Sequence, residues 1–495
     1  MAAIEKQSIR LMGRIKDETI RGAKWNIVSR CTMQPVQFLF GIILARLISP
    51  EEMGILGLTA IFFAIAGQLK DCGFGAALIR KQDRTEADCS TMFWFNVVAS
   101  FTVAAILFAL APWFASFYAQ PDLLPLTRVS AVMLFLNSTS SVHWCLYSAR
   151  RDFKTPAIVG IVSTLFGMPI CIFLAYNGWS YWSLVIQGIA SGLFSLIIVW
   201  IISPWKPRFL WSWKSFRQFF GFGSKLAATG MLQAIYDNSR TFIIGKFYTP
   251  AQLANFSKGF QLCHMPINVV LGTVSSVTYP ILATIQDDEE RLNRAFLKYI
   301  SVVSVGVCWG MLTLAFLCKD VVLFLYGAKW EECATYAQIF VFGAMFGYVT
   351  NINTTMYMVR GRSDINLKRE IIIRTFGLFV LLAASFYGVR AICWSATASG
   401  IFTVVISMWF SARISTITVG RQILCFAPYL LYALLANAPT FFLRPFFCPI
   451  INLCVFVPLS LFVYCGILYY RRDEAGADVY EMIISKIKIL TKKRR

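Results

Sequence analysis

Runs of about twenty apolar residues recur along this chain, and a helix of that length matches the roughly 30 Å hydrocarbon core of a bilayer. The pattern predicts fourteen spans, near residues 24–47, 53–79, 91–116, 126–148, 157–176, 181–203, 219–245, 251–282, 296–318, 333–358, 371–388, 392–412, 422–443 and 450–470. The connections are short on both sides. The longest outer one, residues 319–332, is too small to be a domain. The longest inner one, residues 204–218, carries Trp205, Trp211 and Trp213, which read as interfacial anchors. Residues 1–23 are charged and amphipathic, with no apolar core or cleavage site of a secretory leader, and read as a cytoplasmic surface segment.

The pattern repeats. Gly22, Ala23 and Lys24 answer Gly223, Ser224 and Lys225, and Ile43 to Arg46 followed by Ser49 and Pro50 answers Ile243 to Lys246 followed by Thr249 and Pro250. Further on, Gln82 and Asp83 answer Gln286 and Asp287, Phe117 and Tyr118 answer Leu325 and Tyr326, and Phe166 and Gly167 answer Phe376 and Gly377. The same order kept over some 150 residues indicates a duplicated helical lobe. Six spans per copy is an even number, so the copies enter the membrane in the same direction and are parallel repeats.

The expected fold is therefore all-α and polytopic, with two parallel six-helix lobes around a central cleft. Residues 24–203 form the first lobe, 204–218 a cytoplasmic linker and 219–412 the second lobe. Residues 413–470 add a helix pair without a partner copy, and 471–495 form a basic cytoplasmic tail.

Composition agrees with a membrane protein. Of the 495 residues 57% are hydrophobic and 14% charged, with a mean hydropathy of +0.63. The net charge of +21 raises nucleic acid as a partner, and topology answers it. Most of the 46 Lys and Arg fall in segments that are cytoplasmic when the N-terminus is inside, so the surplus is an orientation signal and a contact for anionic lipid. Both termini are expected to be cytoplasmic. The fourteen cysteines are scattered without CxxC spacing and there are two histidines, His143 and His264, so neither a metal site nor a cofactor is expected.

Charges inside spans cost about 2.5–3.5 kcal/mol at a helix centre and are kept where they face other helices or water. Arg46 and Lys246 end their spans and can snorkel outward, and Arg374 can pair with Glu370 one turn earlier. Arg30, Lys225 and Arg240 are harder to dismiss, with Lys258 a weaker fourth, as candidates for the walls of a cationic cleft. Asp237 precedes Arg240 by three residues on one helix face, where it can neutralise the cation or carry a coupling ion. Lys70 and Asp71, just before Gly73 and Gly75 where the helix is expected to break, read equally as a local ion pair or a substrate contact. A scaffolding role for all these charges stays open beside the functional one. The excess of Lys and Arg over unpaired carboxylates favours an anionic cargo, such as phosphate or acidic sugars.

The runs GAKWNIVSR, ILARLISPEEMGILGL and LKDCGFGAALIRKQD resemble the start of bacterial polysaccharide flippases. FGSKLAATG, GKFYTPAQLANFSKGFQL, YPILATIQDDEERL and YGAKWEEC in the second half are similar to the same proteins. These form the polysaccharide-transport branch of the multidrug/oligosaccharidyl-lipid/polysaccharide exporter superfamily, and the likeness covers about residues 15–415. The resemblance implies a transporter, not an enzyme, in the bacterial inner membrane. Its cargo would be an undecaprenyl-pyrophosphate-linked oligosaccharide for O-antigen, capsule or exopolysaccharide, moved by alternating access. A polymerase and other glycan-assembly proteins are candidate partners, and the expected state is a monomer. The alternative within the superfamily is a cation-coupled multidrug exporter, against which the sign of the cleft charges counts. A polymerase or lipid-linked glycosyltransferase would need a large outer loop or acidic residues in an early outer loop. Glu51 and Glu52, beside Pro50, are the only such pair and read as capping the second span. No GxxxxGK[ST] run supplies a nucleotide site.

Overall fold

The computed structural model describes residues 32–477 and 480–481. The expected surface segment at 1–23, Arg30 and the tail cations from Lys486 onward lie outside the described residues. The described chain is all-helical. Two compact units divide it, residues 1–251 and 252–495.

In the first unit the helices are α1 (Thr32–Leu47), α2 (Pro50–Leu58), α3 (Ala60–Asp71), α4 (Phe74–Arg80), α5 (Glu86–Tyr118), α6 (Leu123–Ser138), α7 (Ser141–Ala149), α8 (Lys154–Tyr176), α9 (Trp182–Ile202) and α10 (Trp213–Phe247). Helix α11 (Pro250–Thr284) leads into the second unit, followed by α12 (Glu289–Leu325), α13 (Glu331–Ala344), α14 (Gly347–Val359), α15 (Ser363–Ala384), α16 (Val389–Ile414), α17 (Val419–Leu443) and α18 (Pro449–Tyr470). Among the described residues nine segments are long and apolar enough to cross a membrane, and α1 and α6 are shorter apolar helices. Helix α10 has 35 residues, ample length to cross, but carries Lys225, Asp237 and Arg240.

Local chemistry sets the ends. Ser49 caps α2 by accepting from the Glu52 amide at 3.3 Å while the Glu52 carboxylate takes the Ser49 amide at 2.9 Å, and Pro50 fills the first helical position. Such a reciprocal cap contributes about 1 kcal/mol. It gives Glu52 the capping role expected from its place beside Pro50.

Two spans expected to be continuous are broken. The span at 126–148 is divided at Thr139–Ser140 into α6 and α7, and the span at 333–358 at Met345–Phe346 into α13 and α14. At the first break Ser138, Thr139 and Ser140 each donate to the carbonyl three residues back, at 2.6, 2.8 and 2.9 Å. Side chains that bond their own backbone compete with the helical ladder and bend it. Both broken spans are the fourth of their expected six-span copy, although Met345 and Phe346 carry no hydroxyl at the second break. The break expected near Gly73 is present, with Cys72 at φ 42° and Gly73 at φ 68°.

The sequence repeat begins its second copy with α10, yet the neighbours of α10 within the first unit are α2, α3, α4 and α5. Close packing there depends on small residues, as is usual between membrane helices.

Candidate functional site

The turn at Cys72–Gly73 ends α3 early and leaves Lys70 and Asp71 at the rim of a cavity of about 580 Å³. Its lining is mixed, with polar side chains set among apolar surface from Met92, Leu226 and Ala227. Gln68, Lys70 and Asp71 come from α3, Asn137 from α6, Ser141 and Trp144 from α7, and Ser195 from α9. The break between α6 and α7 is what turns Asn137 and Ser140 toward this space. Ser140 is fixed by accepting from Trp144 Nε1 at 3.2 Å, and Ser141 by accepting from buried Asn96 Nδ2 at 2.9 Å.

Asp71 is half-buried, and its Oδ1 is enclosed without a hydrogen-bond partner. No ion pair joins Lys70 to Asp71 among the described residues. Adjacent helix positions point about 100° apart, so neighbours in sequence do not face one another. Both nevertheless line the same cavity. The cavity can accept a proton or cation on the carboxylate, an anion at Lys70, and sugar hydroxyls along its amides and hydroxyls.

The other expected charges are distributed along α10 and α11. Lys225 is exposed, two residues beyond Gly223, and Arg240 is half-buried. They stand roughly 22 Å apart along α10 at 1.5 Å per residue. Asp237 is exposed and accepts from Gln233 Nε2 at 2.7 Å. Lys258 belongs to the second unit, half-buried with its ammonium 5.9 Å from the Tyr326 ring centre. Lys246 donates to the Phe117 carbonyl at 2.6 Å and lies over that ring, and Arg374 Nε pairs with Glu370 at 3.1 Å.

Two clusters escaped the sequence. Arg369 on α15 is only 4% exposed and donates to Thr354 Oγ1 of α14 at 2.6 Å, while its second nitrogen pairs with Glu370. It also lies 5.8 Å from the ring centre of Tyr357, whose hydroxyl donates to the Ser407 carbonyl. In the same unit a cavity of about 870 Å³ is lined by Phe316, Asp320, Phe441 and Arg444 among others. Its charges are paired, with Arg444 Nε 2.5 Å from Asp320 and Asn452 donating to Asp320 at 3.0 Å. Closed pairing of this kind reads as scaffold. The Asp71 cavity, whose carboxylate makes no ion pair among the described residues, does not.

Comparison with known proteins decides the family. Residues 43–335 match the family described as "Polysaccharide biosynthesis protein", more than half of the 495-residue chain. The chain belongs to this family. Among curated relatives, the teichuronic acid biosynthesis protein TuaB of Bacillus subtilis is 22% identical over 412 residues, covering 81% of this chain and 84% of its own. The lipopolysaccharide biosynthesis protein WzxC of Escherichia coli is 22% identical over 372 residues, 74% of each chain. Among solved structures, the lipid II flippase MurJ in an inward closed conformation superposes with a TM-score of 0.70 at 13% identity, covering 92% of this chain and 99% of that one. At that identity the likeness is one of fold. This member of the polysaccharide biosynthesis family is thus a membrane protein of MurJ-like architecture, in agreement with the resemblance read from its motifs.

Proposed function

We propose that the chain is a flippase that moves undecaprenyl-pyrophosphate-linked oligosaccharide across the bacterial inner membrane by alternating access. The product would feed O-antigen, capsule or exopolysaccharide assembly. Family membership and the names of TuaB and WzxC support a role in polysaccharide biosynthesis, and the lipid II flippase supports a fold suited to lipid-linked cargo. The observation that carries the reading is the cavity around Asp71, where Gln68, Lys70, Asn137, Ser141 and Ser195 bring polar groups together among apolar helices such as α5, α8 and α9. Polar groups at membrane depth are costly and are retained for function.

A glycan and a charged diphosphate cannot cross hydrocarbon, whereas a polyprenyl tail can stay in lipid. The protein then has to supply only a wet, polar path. In this reading Gln68, Asn137, Ser141 and Ser195 exchange water contacts for sugar hydroxyls. Arg30, Lys225, Arg240 and Lys258 would hold the diphosphate and acidic sugars, for which Lys and Arg are the matching chemistry. Asp71 or Asp237 would bind a coupling proton or sodium ion. Both termini are cytoplasmic in this scheme, and residues 24–203 and 219–412 act as the two moving lobes.

The test is the fate of the lipid-linked glycan in a strain lacking the gene. Accumulation of undecaprenyl-linked oligosaccharide on the cytoplasmic side, with loss of surface polysaccharide, is expected. An unchanged surface glycan with raised sensitivity to cationic drugs would replace the proposal with multidrug export.

A further inference from the structure

The segment between α9 and α10 is pinned against α5 as a strap. The Trp94 indole donates to the Arg208 carbonyl at 2.9 Å, the Arg208 amide to Ser90 Oγ at 3.3 Å, and the Ser212 amide to Thr91 Oγ1 at 3.0 Å. Phe209 stacks on Trp94 at 4.6 Å, and Arg208 pairs with Glu86 at 2.7 Å. Ser90 and Thr91 are fully buried beneath it. A simple tether between helices would need none of these bonds.

The outward side of the strap is aromatic and basic. Phe209 is 91% exposed and Trp213 66%, with Trp211 packed edge-on against Trp213 at 5.5 Å. From Ser203 to Ser224 the chain holds Lys206, Arg208, Lys214 and Arg217 and no acid. Arg80 joins them, its guanidinium 5.2 Å from the Phe222 ring centre. Trp213, Lys214 and Arg217 line an open cleft of about 690 Å³. Both cations are exposed, and neither makes an ion pair among the described residues. Amphipathic aromatic rings favour the headgroup level of a membrane, and unpaired cations beside them complement a phosphate.

We infer that this cleft binds the headgroup of an anionic phospholipid, with Lys214 and Arg217 on the phosphate and Trp213 against the glycerol and upper acyl chain. The strap then anchors the junction between α9 and α10 to charged lipid. The inference needs only that the chain sits in a membrane, so it stands or falls separately from the cargo proposed above.

The test uses the purified full-length chain in phosphatidylcholine vesicles doped with brominated phosphatidylglycerol or, in parallel, brominated phosphatidylcholine, with tryptophan fluorescence as readout. Brominated phosphatidylglycerol should quench more strongly, and Trp213→Phe should remove that excess while leaving the phosphatidylcholine signal in place. The pair Lys214→Gln and Arg217→Gln should lower the preference for phosphatidylglycerol about 25-fold, at about fivefold for each cation near a charged surface. Arg217→Lys should keep most of it, and about 1 M salt should abolish it. Both glutamine sites are exposed, and an unchanged melting temperature checks that the variant is folded. Equal quenching by the two lipids, or an excess that persists in the glutamine variant, would overturn the inference. So would displacement of the bromolipid by stoichiometric undecaprenyl diphosphate, which would assign the cleft to a diphosphate instead.

Discussion

Gly73 and Gly223 meet backbone to backbone. A Cβ added at Gly73 would fall 2.5 Å from the Gly223 carbonyl oxygen, and one added at Gly223 would fall 2.4 Å from the Cys72 carbonyl oxygen. Gly73 also has φ 68°, a conformation that L side chains rarely adopt. The contact joins α10 to the turn that ends α3, and so sets where Lys70 and Asp71 stand relative to the cavity. Gly223→Ala is expected to cost about 1–3 kcal/mol, as overpacking does in tight interiors. Gly221, on the same helix, has open space around it. Gly221→Ala should be neutral or gain about 0.5–1 kcal/mol from reduced backbone freedom in the unfolded chain. Thermal unfolding of the two detergent-solubilised variants checks this, and equal melting temperatures would refute the close approach.

Asp71 offers a sharper functional test. Its enclosed, unpartnered oxygen predicts that Asp71→Asn lowers glycan export by about tenfold or more at unchanged membrane abundance, the equivalent of losing one interaction with a charged group. Asp237, exposed and bonded to Gln233, is the comparison. If Asp237→Asn instead makes export indifferent to collapse of the ion gradient while Asp71→Asn does nothing, coupling belongs to α10.

The basic residues separate by role. Arg30→Ala and Arg240→Ala are expected to reduce export without lowering abundance, whereas Arg46→Ala at the end of its span should do little. The readout is surface polysaccharide normalised to the amount of protein in the membrane. Equal loss of folded protein in all three would make these cations scaffold.

The Arg369 cluster is expected to matter for stability before transport. Removing one partner from a buried charged network costs about 3–5 kcal/mol, because the remaining polar groups stay buried. Arg369→Ala should therefore lower the melting temperature markedly. Arg369→Lys should not restore it, since one ammonium cannot reach Thr354 and Glu370 together as the guanidinium fork does. A lysine variant as stable as the parent would show that charge alone suffices.

Much of the fold was readable because hydrophobic runs and turn residues are local signals. The break after Asp71 was announced by Gly73 and Gly75, the capped start of α2 by Glu51 and Glu52 beside Pro50, and the Glu370–Arg374 pair by its spacing of four. The site was less readable, since its geometry depends on partners far apart in sequence. Ser195 reaches the space beside Asp71 only after α6 and α7 are broken, and Thr139 looks like any other polar residue in a span. Arg369 gave no signal because its partners Thr354 and Ser407 stand on other helices. In the sequence Lys70 and Asp71 read equally as a local ion pair or a substrate contact, and no ion pair joins them among the described residues. Adjacent positions on a helix point apart, and both side chains line one cavity.

The central claim is translocation of a lipid-linked glycan, and reconstitution tests it most directly. Purified protein in proteoliposomes carrying fluorescent undecaprenyl-diphosphate oligosaccharide should expose inner-leaflet glycan to an impermeant glycosidase added outside. Protein-free vesicles and the Asp71→Asn variant should leave about half of the glycan protected, since an unflipped bilayer-spanning distribution has two leaflets. Full protection of the inner pool with folded, correctly inserted protein present would contradict the account.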